Sequence, residues 1–137
     1  MKTIIRILLY IWQLPQNIVG LIVLAWAALS KRIEASGIPE FASNQRYYYV
    51  VGFPGGISLG EQVILNAIYH RFKGTTERHE YGHCLQSRVL GPLYLIIVGL
   101  PSLIWAAMYE YNPQDPNKYY RFYTEKWADK WGGVGQR

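Results

Sequence analysis

Two long stretches of this chain are almost free of charge, and their positions limit the shapes it can take. Met1 to Ser30 is the most apolar, with Lys2 and Arg6 at its head and Lys31 and Arg32 behind it; Val89 to Tyr109 carries no charged residue at all. About 20 apolar residues suffice to cross a bilayer as a helix, so by length alone either stretch qualifies. The first is interrupted by Gln13, Pro15, Gln16 and Asn17, which divide it into Ile4 to Leu14 and Ile18 to Leu29, each short of a full span. A kinked transmembrane helix, a re-entrant pair and a surface-lying anchor all fit that division. A helix folded onto a soluble core is a further reading. A signal peptide cut near Ala25-Trp26-Ala27 fits less well, because the polar cluster breaks the apolar core such a peptide needs.

Between the two stretches stands His79-Glu80-Tyr81-Gly82-His83, an HExxH pattern. Positions four apart share one face of a helix, so both imidazoles can reach a single Zn²⁺ while Glu80 faces a water bound to that ion. Beyond the second stretch, Glu125-Lys126-Trp127-Ala128-Asp129 reads ExxxD on a predicted second helix. A catalytic zinc takes three protein ligands and keeps one position open, and Glu125 is the candidate third ligand. Asp129, one turn further on, is spaced to accept the remaining N–H of a ligand imidazole. The bland alternative is a solvated charged helix with two incidental histidines.

HExxH followed by ExxxD resembles the gluzincin metallopeptidases. The resemblance implies that His79, His83 and Glu125 are zinc ligands, that Glu80 is the general base, and that Asp129 orients His79. Gly56-Ile57-Ser58-Leu59-Gly60 upstream and Leu90-Gly91-Pro92-Leu93-Tyr94 downstream extend the likeness to metallopeptidase-like domains attached to bacterial toxin proteins, over roughly residues 56 to 133. The chain departs from the family pattern in having Thr124 before the third-ligand Glu, where Asn is usual, and in the long gap from His83 to Glu125.

The metal site constrains the second apolar stretch. His79 and His83 precede Val89 to Tyr109 and Glu125 follows it, so a single complete crossing would leave the third ligand on the opposite side of the membrane from the first two. Lys73, Glu77, Arg78 and Arg88 around the motif suit water or headgroups better than hydrocarbon. The stretch is therefore expected to fold back, with Gly99 and Pro101 breaking its middle, as a hairpin dipping into one leaflet or as two elements of the core.

Elsewhere the chain carries weaker signals. Ser36 to Gln45 reads as a linker, and Tyr47-Tyr48-Tyr49-Val50-Val51 as a strand. After a turn at Pro54-Gly55-Gly56, Leu59 to Leu65 is either a returning strand that makes a hairpin before the motif helix or, from Gly60 to His70, the start of a helix. A strand there would give an edge able to pair with an extended peptide. Tyr109, Tyr111, Tyr119, Tyr120, Phe122, Tyr123, Trp127 and Trp131 suit a headgroup layer or ordinary core packing. Trp131-Gly132-Gly133 should end the last helix. Cys84, the sole cysteine, excludes an intrachain disulfide and is expected to be a small core residue. The net charge of +5 is scattered without a dense basic stripe, so no nucleic-acid partner is expected and an anionic membrane surface accounts for it better.

The expected protein is thus one α+β domain over residues 1–137, predominantly helical with a short β element: a minimal gluzincin-like zincin. Residues 1–30 form an apolar membrane-anchor segment and 46–133 a metallopeptidase-like core. Its expected activity is hydrolysis of peptide bonds in a peptide or protein substrate, with Zn²⁺ as cofactor and membrane lipid as a partner. Basic residues flank the first stretch on both sides, so the side of the membrane is left open. The alternative is a non-catalytic membrane or interaction protein in which the same three ligands hold a structural zinc; a structural site has no use for Glu80.

Overall fold

The aromatic run after residue 45 does form a strand, and the sheet built on it organises the molecule. The computed structural model describes residues 1–42, 45–72, 74–135 and 137; Lys73 and the Ser43 and Asn44 portion of the expected linker lie outside the described residues. Four strands, β1 (Ile33–Gly37), β2 (Arg46–Val50), β3 (Gly56–Leu59) and β4 (Gln62–Asn66), lie in the order β1-β2-β4-β3. The rest is mostly helical, so the class is α+β.

The expected hairpin of the tyrosine strand with the Leu59 region is corrected: β2 and β4 pair in parallel, and the hairpin partner of β4 is β3, joined through Gly60 and Glu61. Gly60, at φ +69, makes that tight connection possible. Central β4 is buried on both faces, as a strand with a parallel neighbour tends to be. The helical option for Gly60 to His70 survives only as one turn, α3 (Ile68–Arg71), where His70 is exposed. Part of the expected linker is instead β1, antiparallel to β2.

The sheet is covered on both faces. Tyr47, Tyr49, Val63 and Leu65 pack with Ala42, Ala67 and Cys84 on one side, the side of the motif helix α4 (Thr76–Leu90). Tyr47 donates its hydroxyl hydrogen bond to the Glu77 carbonyl at 2.6 Å. Burial pushes the Cys84 thiol up to about 12, consistent with an inert core residue. On the other face Val50 and Ile64 pack with Ala27, Val23 and Leu24 of α2 (Leu14–Leu29).

The first half of that second helix buries its polar residues. The buried residues of α2 are Gln16, Asn17, Gly20 and Ala27, whereas Ile18, Leu21, Trp26 and, at 64% exposure, Ile22 face outward. Gln16 Nε2 donates to Ser87 Oγ at 2.8 Å and to the Gly91 carbonyl at 2.9 Å, and Ser87 Oγ donates to Gln13 Oε1 at 2.6 Å. Asn17 Oδ1 accepts from the Glu61 N–H at 2.9 Å. In the polar cluster that divides the first apolar stretch, Gln13 and Gln16 therefore clasp the end of α4 while Asn17 ties α2 to the β3–β4 connection, and α1 (Lys2–Trp12) meets α2 at a bend of 83°.

Val89 to Tyr109 does fold back, but at a different place from the one expected. The helical stretches Thr76–Leu93 and Leu95–Met108 are bent by 119° at Tyr94, beside Gly91 (φ +54) and Pro92. Around Gly99 the chain runs on without a break, as a π-helical turn (Leu95–Gly99) leading into α5 (Leu100–Met108). The wider turn accommodates Pro101, which has no N–H to give to the preceding turn. No single helix among the described residues is long and apolar enough to cross a membrane; the two bent pairs reach that length only together.

A 3₁₀ turn (Lys118–Arg121) leads into α6 (Tyr123–Gly132), which stops at Gly133 in the left-handed conformation, φ +80. Several of the late aromatics pack on one another: Trp105 stacks on Phe122 with ring centres 4.9 Å apart, and Trp127 meets Trp131 edge-on at 4.8 Å.

Candidate metal centre

Two glycines decide that the motif helix and the last helix can meet. A Cβ on Gly82, inside the HExxH pattern, would lie 1.8 Å from the Ala128 carbonyl oxygen, and one on Gly132 would lie 1.9 Å from the Arg78 carbonyl oxygen. Helices α4 and α6 thus cross backbone to backbone, which places Glu125 over the face that carries His79 and His83.

All three side chains are buried, and one ligand atom from each lies within 4.8 Å of the others. His79 Nε2 is 2.9 Å and His83 Nε2 2.8 Å from the same atom, Glu125 Oε2. Hydrogen bonding assigns the tautomers. Asp129 Oδ1 sits 2.6 Å from His79 Nδ1, and a carboxylate oxygen can only accept, so Nδ1 carries the proton. Gln86 Nε2 donates to the Thr124 carbonyl at 3.0 Å, which turns Gln86 Oε1 toward His83 Nδ1 at 2.7 Å and makes that nitrogen a donor as well. In the neutral imidazoles both Nε2 lone pairs therefore point at a carboxylate oxygen. Three acceptors converging on one point call for a shared cation, and the His79, His83 and Glu125 group can hold a metal ion there.

The electrostatics agree. Burial alone would lower the His79 pKa, yet hydrogen bonds to Asp129 and Glu125 outweigh it and raise it to about 9. Burial likewise works against ionising Glu125, but the two imidazoles hold its carboxyl well below the usual range. For Asp129 burial again works against ionisation, and it is outweighed by Arg137, whose guanidinium grips the carboxylate at 2.7 and 2.8 Å, and by His79, so its pKa is lowered.

Glu80 projects into the same cleft as the three ligands. Ser58 Oγ of β3 lies 2.7 Å from its Oε2 and 2.8 Å from its main-chain oxygen, and a Cβ on Gly56 would sit 2.8 Å from its Oε1. The carboxylate is thus fixed against the edge strand. Tyr119 completes the floor, with its hydroxyl 3.4 Å from Glu125 Oε1. The cleft holds about 720 Å³, walled by residues 53–59 on one side and by Leu95, Ile96, Leu100 and Leu103 on the other.

No family model, no curated protein and no solved structure matches this chain.

Every residue singled out from the sequence for the site lies in this cluster: His79, His83 and Glu125 together, Glu80 beside them, and Asp129 on His79. Gln86, Ser58 and Arg137 were not anticipated. Gln86 lies one helical turn after His83, a spacing that could have pointed to it. Ser58 and Arg137 reach the site through tertiary contacts that leave no local pattern.

Proposed function

We propose that this chain is a membrane-associated zinc metallopeptidase. The observation that carries the chemistry is the convergence of two imidazole nitrogens and one carboxylate oxygen on a point in a cleft that also contains a fixed, separate carboxylate, Glu80. Two imidazoles with one carboxylate suit zinc, and three ligands leave a position for water. The resemblance of HExxH and ExxxD to the gluzincins supports the same reading.

The chemistry a bound zinc supplies is a water acidic enough to ionise near neutral pH and a polarised substrate carbonyl. The residues do the rest. Glu80 takes the proton as the water oxygen joins the acyl carbon, then returns it to the nitrogen as the C–N bond breaks, leaving a carboxylic acid and an amine, and the acid's own proton then passes to the amine to give carboxylate and ammonium. Asp129 and Gln86 hold the two imidazoles with Nε2 forward. The outer side of β3, at the edge of the sheet, lines the cleft; the Ser58 carbonyl there already accepts from the Tyr94 hydroxyl at 3.0 Å, and the remaining main-chain groups are offered to an extended substrate. Tyr119 donates to the developing oxyanion: burial and the nearby Glu125 and Glu80 carboxylates raise its phenol pKa far above neutral, so it keeps its proton. Tyr119→Phe is expected to retain zinc and lower kcat by about 10²–10³-fold, read by steady-state cleavage at matched metal content.

The membrane half of the proposal rests on the burial pattern of α2. A helix that hides Gln16 and Asn17 and presents Ile18, Leu21, Ile22 and Trp26 is arranged for apolar surroundings, and the exposed Ile96, Leu100, Leu103 and Ile104 continue that character on the bent second pair. Lys2, Arg6, Lys31 and Arg32 flank the apolar stretch and suit anionic headgroups. Two measurements test the two halves. Elemental analysis of the purified chain, dialysed against trace metal, should give stoichiometric zinc together with peptide cleavage; a metal-free, inactive chain sinks the enzyme. Flotation with vesicles should persist at high salt, which screens surface attraction but not apolar insertion. A chain that stays soluble and monomeric without detergent contradicts the membrane reading.

A further inference from the structure

The cleft and the outward-facing apolar surface are built from the same side chains. Val19 of α2 and Ile96, Leu100 and Leu103 of the bent second pair line the cleft and are at the same time exposed, Ile96 by 68% and Leu103 by 58%. Among the described residues charge enters the cleft only on its floor, where Glu80 and Glu125 lie with the two histidines, and no described lysine or arginine lines it. On the side of Val19, Ile96, Leu100 and Leu103 a water-borne substrate would have to pass a rim that water solvates poorly, while the partly exposed Tyr69, Thr76 and Tyr120 line the cleft elsewhere. A substrate already within the apolar layer would meet a rim of its own kind, and its polar amide would find partners only at the floor.

From this we infer that the cleft opens toward the acyl-chain side of the interface, and that its substrate is an apolar segment of a membrane-anchored polypeptide, cut within a few residues of the anchor. The inference rests on the peptidase reading and on the membrane reading above. The reaction is unchanged: water adds across the amide, its oxygen going to the acyl carbon and a proton to the leaving nitrogen. The new content is where the bond lies. The floor accepts an amide that is extended along β3, and the wall formed by Leu95, Ile96, Leu100 and Leu103 accepts uncharged side chains beside it. Depth rather than sequence is then the main selector, because the enzyme and the scissile bond share a layer only when the bond lies near the anchor.

The test compares two palmitoylated peptides in vesicles of phosphatidylcholine with phosphatidylglycerol, both with the same apolar cleavable sequence. In one, that sequence adjoins the acyl chain; in the other, a flexible Gly/Ser spacer of about twenty residues holds it out in water. Tethering concentrates both peptides equally at the surface, so it cannot by itself favour either one. With the zinc-loaded full chain, the anchor-proximal peptide is expected to be cleaved about tenfold faster or more. Ile96→Glu, at a well-exposed rim position that the fold tolerates, is expected to abolish that preference by placing a charge at the entrance. Equal rates, faster cleavage of the spaced peptide, or a preference that survives Ile96→Glu would overturn the inference while leaving the peptidase reading intact. If neither peptide is cut, in vesicles or in detergent, both readings fall together.

Discussion

Glu80→Gln is expected to keep one zinc ion per chain and to lower kcat by about 10²–10⁴-fold, whereas Glu125→Ala is expected to lose the metal. The two carboxylates differ in what depends on them. Glu80 contacts Ser58 and faces the cleft, so exchanging an oxygen for an amide nitrogen removes its basicity and little else. Glu125 Oε2 is the meeting point of both imidazoles, 2.8 and 2.9 Å away, and it is 2% exposed. Removing it leaves buried His79 and His83 facing each other with their ring centres 4.8 Å apart, at a cost to the metal-free fold of about 3 kcal/mol. Zinc stoichiometry, turnover and thermal unfolding in detergent separate the outcomes. If Glu80→Gln retains wild-type turnover, Glu80 is not the base.

Gly82→Ala is expected to be at least as damaging, although it touches no ligand. The added methyl would enter the space of the Ala128 carbonyl oxygen, and backbone cannot rotate away as a side chain can. Helix α6 must retreat, which costs about 3 kcal/mol or more and carries Glu125 and Asp129 away from the histidines. Loss of zinc and a lowered Tm should appear together. Gly37→Ala is the control: a Cβ at Gly37 meets nothing within 4 Å, so an effect within about 0.5 kcal/mol is expected. Wild-type zinc content in Gly82→Ala would show that the helix crossing does not set the site.

The residues of the candidate site were more legible than the fold that carries them. HExxH and ExxxD are local patterns, and helical periodicity alone turns each toward one face. The pairing of β2 with β4 was not legible, because neighbouring strands suggest a hairpin and nothing in Tyr47 to Val51 announces a parallel partner. Strand β1 was hidden by Gly37 and Pro39, which punctuate the segment like a linker. The bend fell at Tyr94 instead of Gly99 and Pro101, because the π-helical turn absorbs the proline while Gly91 and Pro92 make the real corner. The polar cluster at Gln13, Gln16 and Asn17 was visible as an interruption. Its role as a clasp depends on Ser87 and Gly91, too distant in sequence for any local pattern to reveal.

That separation shapes the birth of the protein. Ser87 lies 71 residues after Gln16 and Gly91 lies 75 after it, so at about 5–20 residues per second the ribosome needs on the order of several seconds to supply the partners of the amide. Until then the Gln16 carboxamide lacks both of these partners, whereas Gln13 and Asn17 already reach the carbonyls of Leu9 and Tyr10 and Asn17 gains the Glu61 N–H earlier. The N-terminal pair can complete its hydrogen bonds only when the helix that also carries the histidines has been made, so docking of that pair and assembly of the metal centre draw on the same late-synthesised segment of chain.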